Sequence, residues 1–138
     1  MDPGSRSAYL RFVREVLVLA ILLAAIGWWP TDRWGGSAAT TAMLAGLGIT
    51  VLASLVGGIP IAIGFASSDP KSRVVLLQGS IASRFFVALV LIAGALISGW
   101  FARAPLAVWF VLGYLALLAP DIRFARRALA SPLGSEKR

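Results

Sequence analysis

The sequence predicts an all-α integral membrane protein with four transmembrane helices and both termini in the cytoplasm. Hydrophobic residues make up 59% of the 138 residues and charged residues only 14%, well below the roughly 25% charged residues of a typical soluble domain. Four apolar runs alternate with short polar segments, and each run is long enough to cross a bilayer. The basic residues concentrate in the segments that this topology places on one side. These observations favour a single membrane domain over residues 1–130, followed by a disordered basic tail at 131–138.

The first span is predicted at residues 9–29. It opens with two arginines, continues with an almost purely aliphatic stretch and ends at Trp28 and Trp29, a residue type enriched at the bilayer–water interface. Residues 30–33, which read Pro-Thr-Asp-Arg, are predicted to form a polar turn, with Trp34 as a second interfacial anchor.

The second span is predicted at residues 36–66, which is too long for one ordinary span and too short for two. A single long helix with a break near Pro60, which follows two glycines, is the simplest interpretation. The next segment, 67–73, is predicted to be a loop because it contains an Asp-Pro pair flanked by serines.

The third and fourth spans are predicted at residues 75–100 and 104–120. Residues 101–105 form the predicted outer turn between them. Pro120 is expected to end the fourth helix, because proline lacks the amide hydrogen that a helix needs.

The orientation follows from the distribution of lysine and arginine. With both termini in the cytoplasm, the outer turns carry only Arg33 and Arg103, and ten basic residues lie on the cytoplasmic side. This bias is the one observed in inner membranes, so the predicted location is the plasma (inner) membrane. The ten cytoplasmic residues are Arg6, Arg11, Arg14, Lys71, Arg73, Arg123, Arg126, Arg127, Lys137 and Arg138.

The composition argues against an enzyme. The chain has no cysteine and no histidine, which excludes disulfides, thiol nucleophiles and histidine-activated serines. No pair of its six acidic residues has metal-ligand spacing on one helix face, and no glycine-rich phosphate loop with a lysine is present. We therefore predict no catalytic residues, no cofactor and no bound metal.

The net charge of +7 is assigned to the membrane rather than to nucleic acid, because the basic residues lie between apolar runs. The basic segment after Pro120 is predicted to bind anionic lipids of the cytoplasmic leaflet.

Arg84 is the first candidate functional residue, because it is a lone charge within the third apolar run. An ionisable residue inside a membrane span usually has a partner or a role. Glu15 and Asp121, at the cytoplasmic ends of two other spans, are the candidate charge partners within the chain, and snorkelling to the headgroups is another structural explanation. The functional interpretation is that Arg84 binds an acidic group on another membrane protein.

The second candidate is a series of small residues at every fourth position of the second span. Small residues at this spacing allow close approach of helices. The series winds around the helix, so only a few members share one face. The predicted partner-binding members are Gly46, Thr50, Ser54 and Gly58.

The order of these motifs resembles that of the ATP synthase subunit I family, across about residues 9–127. A first span led by Arg11 and Arg14 ends in tryptophan, and Trp34-Gly35-Gly36 opens a span rich in small residues that closes with proline. The third span begins with glycine and carries a basic residue five positions later. The last span ends in Leu-Ala-Pro followed by basic residues. The chain lacks the glutamine and asparagine residues often found near the ends of the second and fourth spans in that family.

The resemblance implies four spans and a role in assembling the c-subunit ring of an F-type ATP synthase. As a hypothesis, Arg84 offers a temporary counter-charge to the membrane-embedded carboxylate of a c subunit, and the small residues from Gly46 to Gly58 pack on c-subunit helices.

Two alternatives stay open. One is a small transporter or channel for a divalent cation such as magnesium, acting alone or as a homo-oligomer. It is ranked second because such pathways use carboxylates or carbonyls within the membrane, whereas this chain offers an arginine there and no acidic residue. The other is a structural accessory subunit of a different membrane complex.

Overall fold

The computed structural model describes residues 3–66 and 69–130, and within these ranges all regular structure is helical. Helix α1 spans Pro3–Ala66, α2 spans Pro70–Ser98 and α3 spans Arg103–Ala130. Each of the three helices is long and apolar enough to cross a membrane. The all-α prediction is therefore confirmed. The predicted tail at 131–138 lies outside the described residues.

Helix α1 reverses direction at Gly36. This residue has φ 61° and ψ −156°, whereas the residues on either side are helical. This backbone conformation is accessible essentially only to glycine, because a Cβ atom would clash with the backbone. We name residues 3–35 α1a and residues 37–66 α1b.

Contacts between α1a and α1b show that the two halves run antiparallel. Near the start of α1a, the Tyr9 hydroxyl donates a hydrogen bond to the Leu55 carbonyl at 3.1 Å. Closer to the turn, Thr31 Oγ1 lies 3.6 Å from Met43 Sδ. The predicted turn at residues 30–33 is therefore wrong, because the helix continues through Pro30 and the chain turns at Gly36.

The predicted helix break near Pro60 and the predicted helix end at Pro120 are also corrected. Helix α1 continues through Pro60 and α3 through Pro120. Proline removes one backbone hydrogen bond, but in tightly packed apolar helices a neighbouring side chain can satisfy the freed carbonyl. The carbonyl that Pro60 frees is that of Val56; at the adjacent Gly57, the carbonyl accepts a hydrogen bond from the Ser80 hydroxyl of α2.

Helix α2 has well-defined ends. Asp69 caps its N-terminus by accepting hydrogen bonds from the backbone amides of Lys71 and Ser72, and Gly99, with φ 69°, ends it. The helix thus begins at Pro70, earlier than the predicted residue 75. Residues 67–68 of the predicted loop lie outside the described residues.

Helix α1b is the centre of the fold, since it packs on α1a, α2 and α3, whereas α2 and α3 barely touch each other. One buried cluster joins α1a, α1b and α3, and a smaller cluster joins α1b, α2 and α3. The first cluster contains Phe12, Val16, Ile61, Ala62, Leu117 and Phe124; the second contains Ala42, Ile92 and Leu106.

The two ends of the fold differ in chemistry. The Phe12 and Phe124 rings stack at 4.6 Å, and Arg127 donates to Glu15 at 3.4 Å, so the start of α1 and the end of α3 lie at one arginine-rich end. The Gly36 turn and the α2–α3 connection form the other end. Four exposed tryptophans belong to this second end: Trp28, Trp29, Trp34 and Trp100.

Candidate functional site: a buried ion pair in a groove

A cavity of about 240 Å³ lies where α2 and α3 diverge over α1b. Gly57 and Ile61 of α1b line it together with residues of α2 and α3. At its edges Ile81 of α2 is 71% exposed and Ile122 of α3 is 55% exposed. The cavity therefore opens outward between the two helices, and we refer to it as the α2/α3 groove.

Arg84 lies in this groove and is 6% exposed. Its guanidinium forms an ion pair with Asp121 of α3. Its Nη2 group also donates a hydrogen bond to the Tyr114 carbonyl at 3.4 Å, and its Cζ atom lies 4.6 Å from the centre of the Tyr114 ring. Arg84 is thus held by one carboxylate, one carbonyl and one aromatic face, all on α3.

One donor of Arg84 is left without a partner. Its Nε atom is buried and makes no hydrogen bond within the described part of the chain. An arginine side chain has five N–H donors in a fixed planar arrangement and can bind more than one acceptor. The Arg84 guanidinium therefore has one buried donor whose hydrogen-bonding capacity the described residues do not use.

The base of the groove depends on close packing between α1b and α2. A Cβ atom at Gly57 would lie 2.7 Å from Arg84 Cβ and 3.3 Å from the Ser80 carbonyl oxygen. Only glycine allows α2 to approach this closely, and the approach also brings the Ser80 hydroxyl to the Gly57 carbonyl. Gly57 thereby fixes the depth at which Arg84 lies.

The structure separates the two predicted charge partners of Arg84. Asp121 pairs with Arg84 in the groove, whereas Glu15 lies at the arginine-rich end and pairs with Arg127. The second pair is much more exposed, with 58% of the Arg127 side chain and 32% of the Glu15 side chain accessible. Of the two sequence candidates, Asp121 is therefore the partner of Arg84.

The four predicted partner-binding small residues lie inside the fold. A Cβ atom at Gly46 would lie 2.8 Å from the Leu106 carbonyl oxygen of α3, and one at Gly58 would lie 2.7 Å from the Phe12 ring of α1a. Thr50 and Ser54 are also buried. In this structure the close packing expected of these residues occurs against the chain's own helices, so they do not form an outer surface. Their contact with a partner stays a prediction.

Two residues of the site were missed by sequence reasoning. Tyr114 supplies both a carbonyl and a ring to Arg84, and Ser80 supports the base of the groove. Ser80 lies four residues before Arg84, one helical turn away, and this spacing was the available signal. Nothing in the sequence distinguishes Tyr114 from other aromatic residues at a span.

No protein-family profile, curated protein or solved structure matches this chain.

Proposed function

We propose that the chain is a four-span protein of the plasma (inner) membrane that helps to assemble the c-subunit ring of an F-type ATP synthase. In this proposal α1a, α1b, α2 and α3 each cross the bilayer. The arginine-rich end, which contains both termini of the described helices, faces the cytoplasm, in accordance with the positive-inside rule. The exposed tryptophans then lie at the opposite interface. The resemblance of the chain's motif order to that of the subunit I family supports the assembly role.

The observation that carries the proposal is the α2/α3 groove with Arg84 at its base. The groove opens between two helices that barely touch, so a third helix can approach Arg84 from the side. A c subunit carries a carboxylate within its membrane span, and this group needs a counter-charge before the ring closes. An unpaired charge in low dielectric is costly, and pairing it with a guanidinium reduces that cost.

Asp121 has a defined part in this mechanism. While no partner is bound, Asp121 pairs with Arg84 and prevents a lone buried cation. When a partner helix enters the groove, its carboxylate either replaces Asp121 or binds the Nε side of Arg84, which has no acceptor among the described residues. The carboxylate is released when the neighbouring c subunit takes over the packing of the partner helix. The interaction is transient because Asp121 competes for the same guanidinium.

A ring-assembly experiment tests the proposal. Chains with Arg84→Ala, Arg84→Lys or Arg127→Ala are expressed in cells that lack the native chain, and the rate at which newly made c subunit enters rings is measured by pulse labelling. We expect Arg84→Ala to slow assembly and Arg84→Lys to retain part of it, since lysine keeps the charge without the planar fork. Arg127→Ala, which removes an exposed arginine from an ion pair, is the matched control and leaves the rate unchanged. Normal assembly with Arg84→Ala at wild-type chain levels contradicts the role of Arg84.

A further inference from the structure

A second cavity, of about 550 Å³, lies at the arginine-rich end between α1a and α3. It is separate from the α2/α3 groove and shares none of its lining residues. Arg11, Arg14 and Glu15 of α1a line it together with Phe124 and Arg127 of α3. The lining thus combines three cations with one anion, beside an aromatic ring.

The charges in this cavity are unequally paired. Glu15 accepts a hydrogen bond from Arg127, which offsets one positive charge. Arg11 and Arg14 have no ion-pair or hydrogen-bond partner within residues 3–66 and 69–130. Arg11 and Arg14 are three positions apart on α1a, so their side chains are neighbours on one helix face. Together they place two positive charges at the cavity, which favours an anionic ligand.

The surface next to the two arginines is apolar. Val18 and Ile21 continue the stripe of α1a that carries Arg11 and Arg14, because positions three and four apart share a helix face. Val18 is 51% exposed and Ile21 is 66% exposed. A ligand that fits both parts has an anionic head and an aliphatic tail.

We infer that the cavity formed by Arg11, Arg14 and Arg127 is a binding site for the phosphate headgroup of an anionic phospholipid. The phosphate lies between Arg11 and Arg14, which bind phosphate oxygens by charge-assisted hydrogen bonds. An acyl chain follows Val18 and Ile21 into the hydrocarbon layer. Basic pockets between membrane helices bind anionic headgroups in this way. The inference does not depend on the c-subunit proposal, because it requires only that α1a lies in a bilayer.

Native mass spectrometry of the purified full chain tests the site. Dioleoyl-phosphatidylglycerol is the probe, dioleoyl-phosphatidylcholine is the zwitterionic control and inorganic phosphate is the free-anion competitor. The test variant is Arg11→Gln/Arg14→Gln. The matched control is Arg6→Gln/Lys71→Gln, which removes two exposed basic residues from the same end, outside the segment after Pro120, without altering the cavity lining. Arg11→Lys/Arg14→Lys restores the charge and tests whether any loss reflects misfolding.

A specific site predicts unequal effects of the two glutamine variants. We expect phosphatidylglycerol binding to weaken about tenfold or more in Arg11→Gln/Arg14→Gln, to change by no more than about twofold in the control, and to recover with lysine. Equal losses in both glutamine variants contradict the inference, because they indicate diffuse attraction to the basic end. Failure of lysine to recover binding also contradicts it. Displacement of the lipid by inorganic phosphate would assign the cavity to a free anion and would overturn the lipid assignment.

Discussion

Arg84 of α2 and Asp121 of α3 form an ion pair across a groove whose two walls otherwise barely touch. The pair is buried, with 7% of the Arg84 side chain and 16% of the Asp121 side chain accessible. It is therefore the main polar link between these two helices within the described residues. The proposed function depends on this pair, because a partner carboxylate would compete with Asp121 for Arg84.

Removal of one member of this pair is expected to destabilise the protein more than removal of both. Arg84→Ala or Asp121→Ala leaves an uncompensated buried charge, which costs about 3–5 kcal/mol of unfolding free energy. The double variant Arg84→Met/Asp121→Leu is expected to recover most of that loss, since neither charge then remains buried. The unfolding free energy is measured by titration with a denaturing detergent.

The exposed ion pair of Arg127 with Glu15 is the control for the comparison of single and double variants at Arg84 and Asp121. Arg127→Ala is expected to cost less than about 1 kcal/mol, because exposed ion pairs are screened by water and salt. If the loss in the double variant equalled the sum of the two single losses, Arg84 and Asp121 would not be energetically coupled.

The turn at Gly36 predicts a second effect on stability. Gly36→Ala is expected to cost about 1–3 kcal/mol, because φ 61° with ψ −156° is nearly restricted to glycine. No neighbouring atom would lie within 4 Å of the added Cβ, so the cost comes from the backbone. Gly48→Ala is the control, since that position is helical and also open; it is expected to be neutral or to stabilise by up to about 1 kcal/mol. Equal stability of the two variants would contradict the position of the turn.

Close packing of α1b on α3 predicts that Gly46 does not tolerate alanine. The added Cβ would lie 2.8 Å from the Leu106 carbonyl oxygen and 3.0 Å from the Phe110 backbone nitrogen. Backbone atoms cannot rotate away as a side chain can, so the helices must separate, at a cost of about 1–3 kcal/mol. Gly94→Ala on α2, where the space is open, is the control and is expected to have no destabilising effect. Thermal unfolding in mild detergent measures both.

The hydrogen bond from Trp109 to Thr31 predicts a smaller loss. The Trp109 indole donates to Thr31 Oγ1 at 3.0 Å and links α3 to α1a. Thr31→Val keeps the shape but removes the acceptor, and the expected cost is about 1 kcal/mol. Thr31→Ser keeps the hydroxyl and is expected to be more stable than the valine variant. If the serine and valine variants unfold at the same temperature, this hydrogen bond makes no measurable contribution.

Asp69 predicts a pH effect at the start of α2. The Ser72 hydroxyl, followed by the Lys71 and Ser72 amides, donates hydrogen bonds that lower the pKa of Asp69 below its ordinary value of 3.8. A lowered pKa means that the ionised cap stabilises the helix above the unfolded-state pKa, and that this stabilisation is lost as pH falls through the folded-state pKa. Amide hydrogen exchange at Lys71 and Ser72 measures the cap.

Two substitutions separate the cap's charge from its hydrogen bonds. Asp69→Ala is expected to speed exchange at neutral pH, because alanine accepts no hydrogen bond. Asp69→Asn keeps an acceptor and is expected to remove the pH dependence that ionisation of Asp69 adds. Unchanged exchange at Lys71 in the alanine variant would show that the cap does not hold the first turn.

The helical class could be predicted from the sequence, which also indicated two candidate partners for Arg84, Glu15 and Asp121, without choosing between them. Each predicted span lies largely within a helix of the structure, because long apolar runs have few alternatives to helix in a bilayer. To choose between Asp121 and Glu15, one must know how each helix is rotated about its own axis. One apolar sequence does not determine that rotation, because nearly every face is apolar.

The positions where helices end were predicted less well. Pro30, Pro60 and Pro120 all lie inside helices, although their sequence context predicts a turn at the first, a break near the second and a helix end at the third. A proline alone does not determine where a helix ends, because a membrane helix can continue through one despite the lost hydrogen bond. The turn at Gly36 depends on one glycine with an unusual backbone conformation. The sequence did not indicate whether Gly35 or Gly36 would adopt it.

The small residues of α1b show that a sequence pattern can predict close helix packing without identifying the packing partner. Their spacing correctly indicated close helix packing, but it did not indicate which helices would be involved. Gly46 faces α3 and Gly58 faces α1a, because the series winds around α1b. An apolar small face can pack on its own chain or on a partner, and the sequence contains no charge that distinguishes the two.

The proposed interaction with the c subunit is tested by purifying the chain from its native membrane in mild detergent and identifying bound proteins by mass spectrometry, with Arg84→Ala in parallel. We expect enrichment of the c subunit with less than one copy of the chain per mature synthase, and loss of that enrichment in the Arg84→Ala variant. Recovery of the chain alone, as a homo-oligomer, or in constant ratio with another complex would contradict it. The first two of these results would make ion flux in liposomes the next measurement, and the third would support the accessory-subunit alternative.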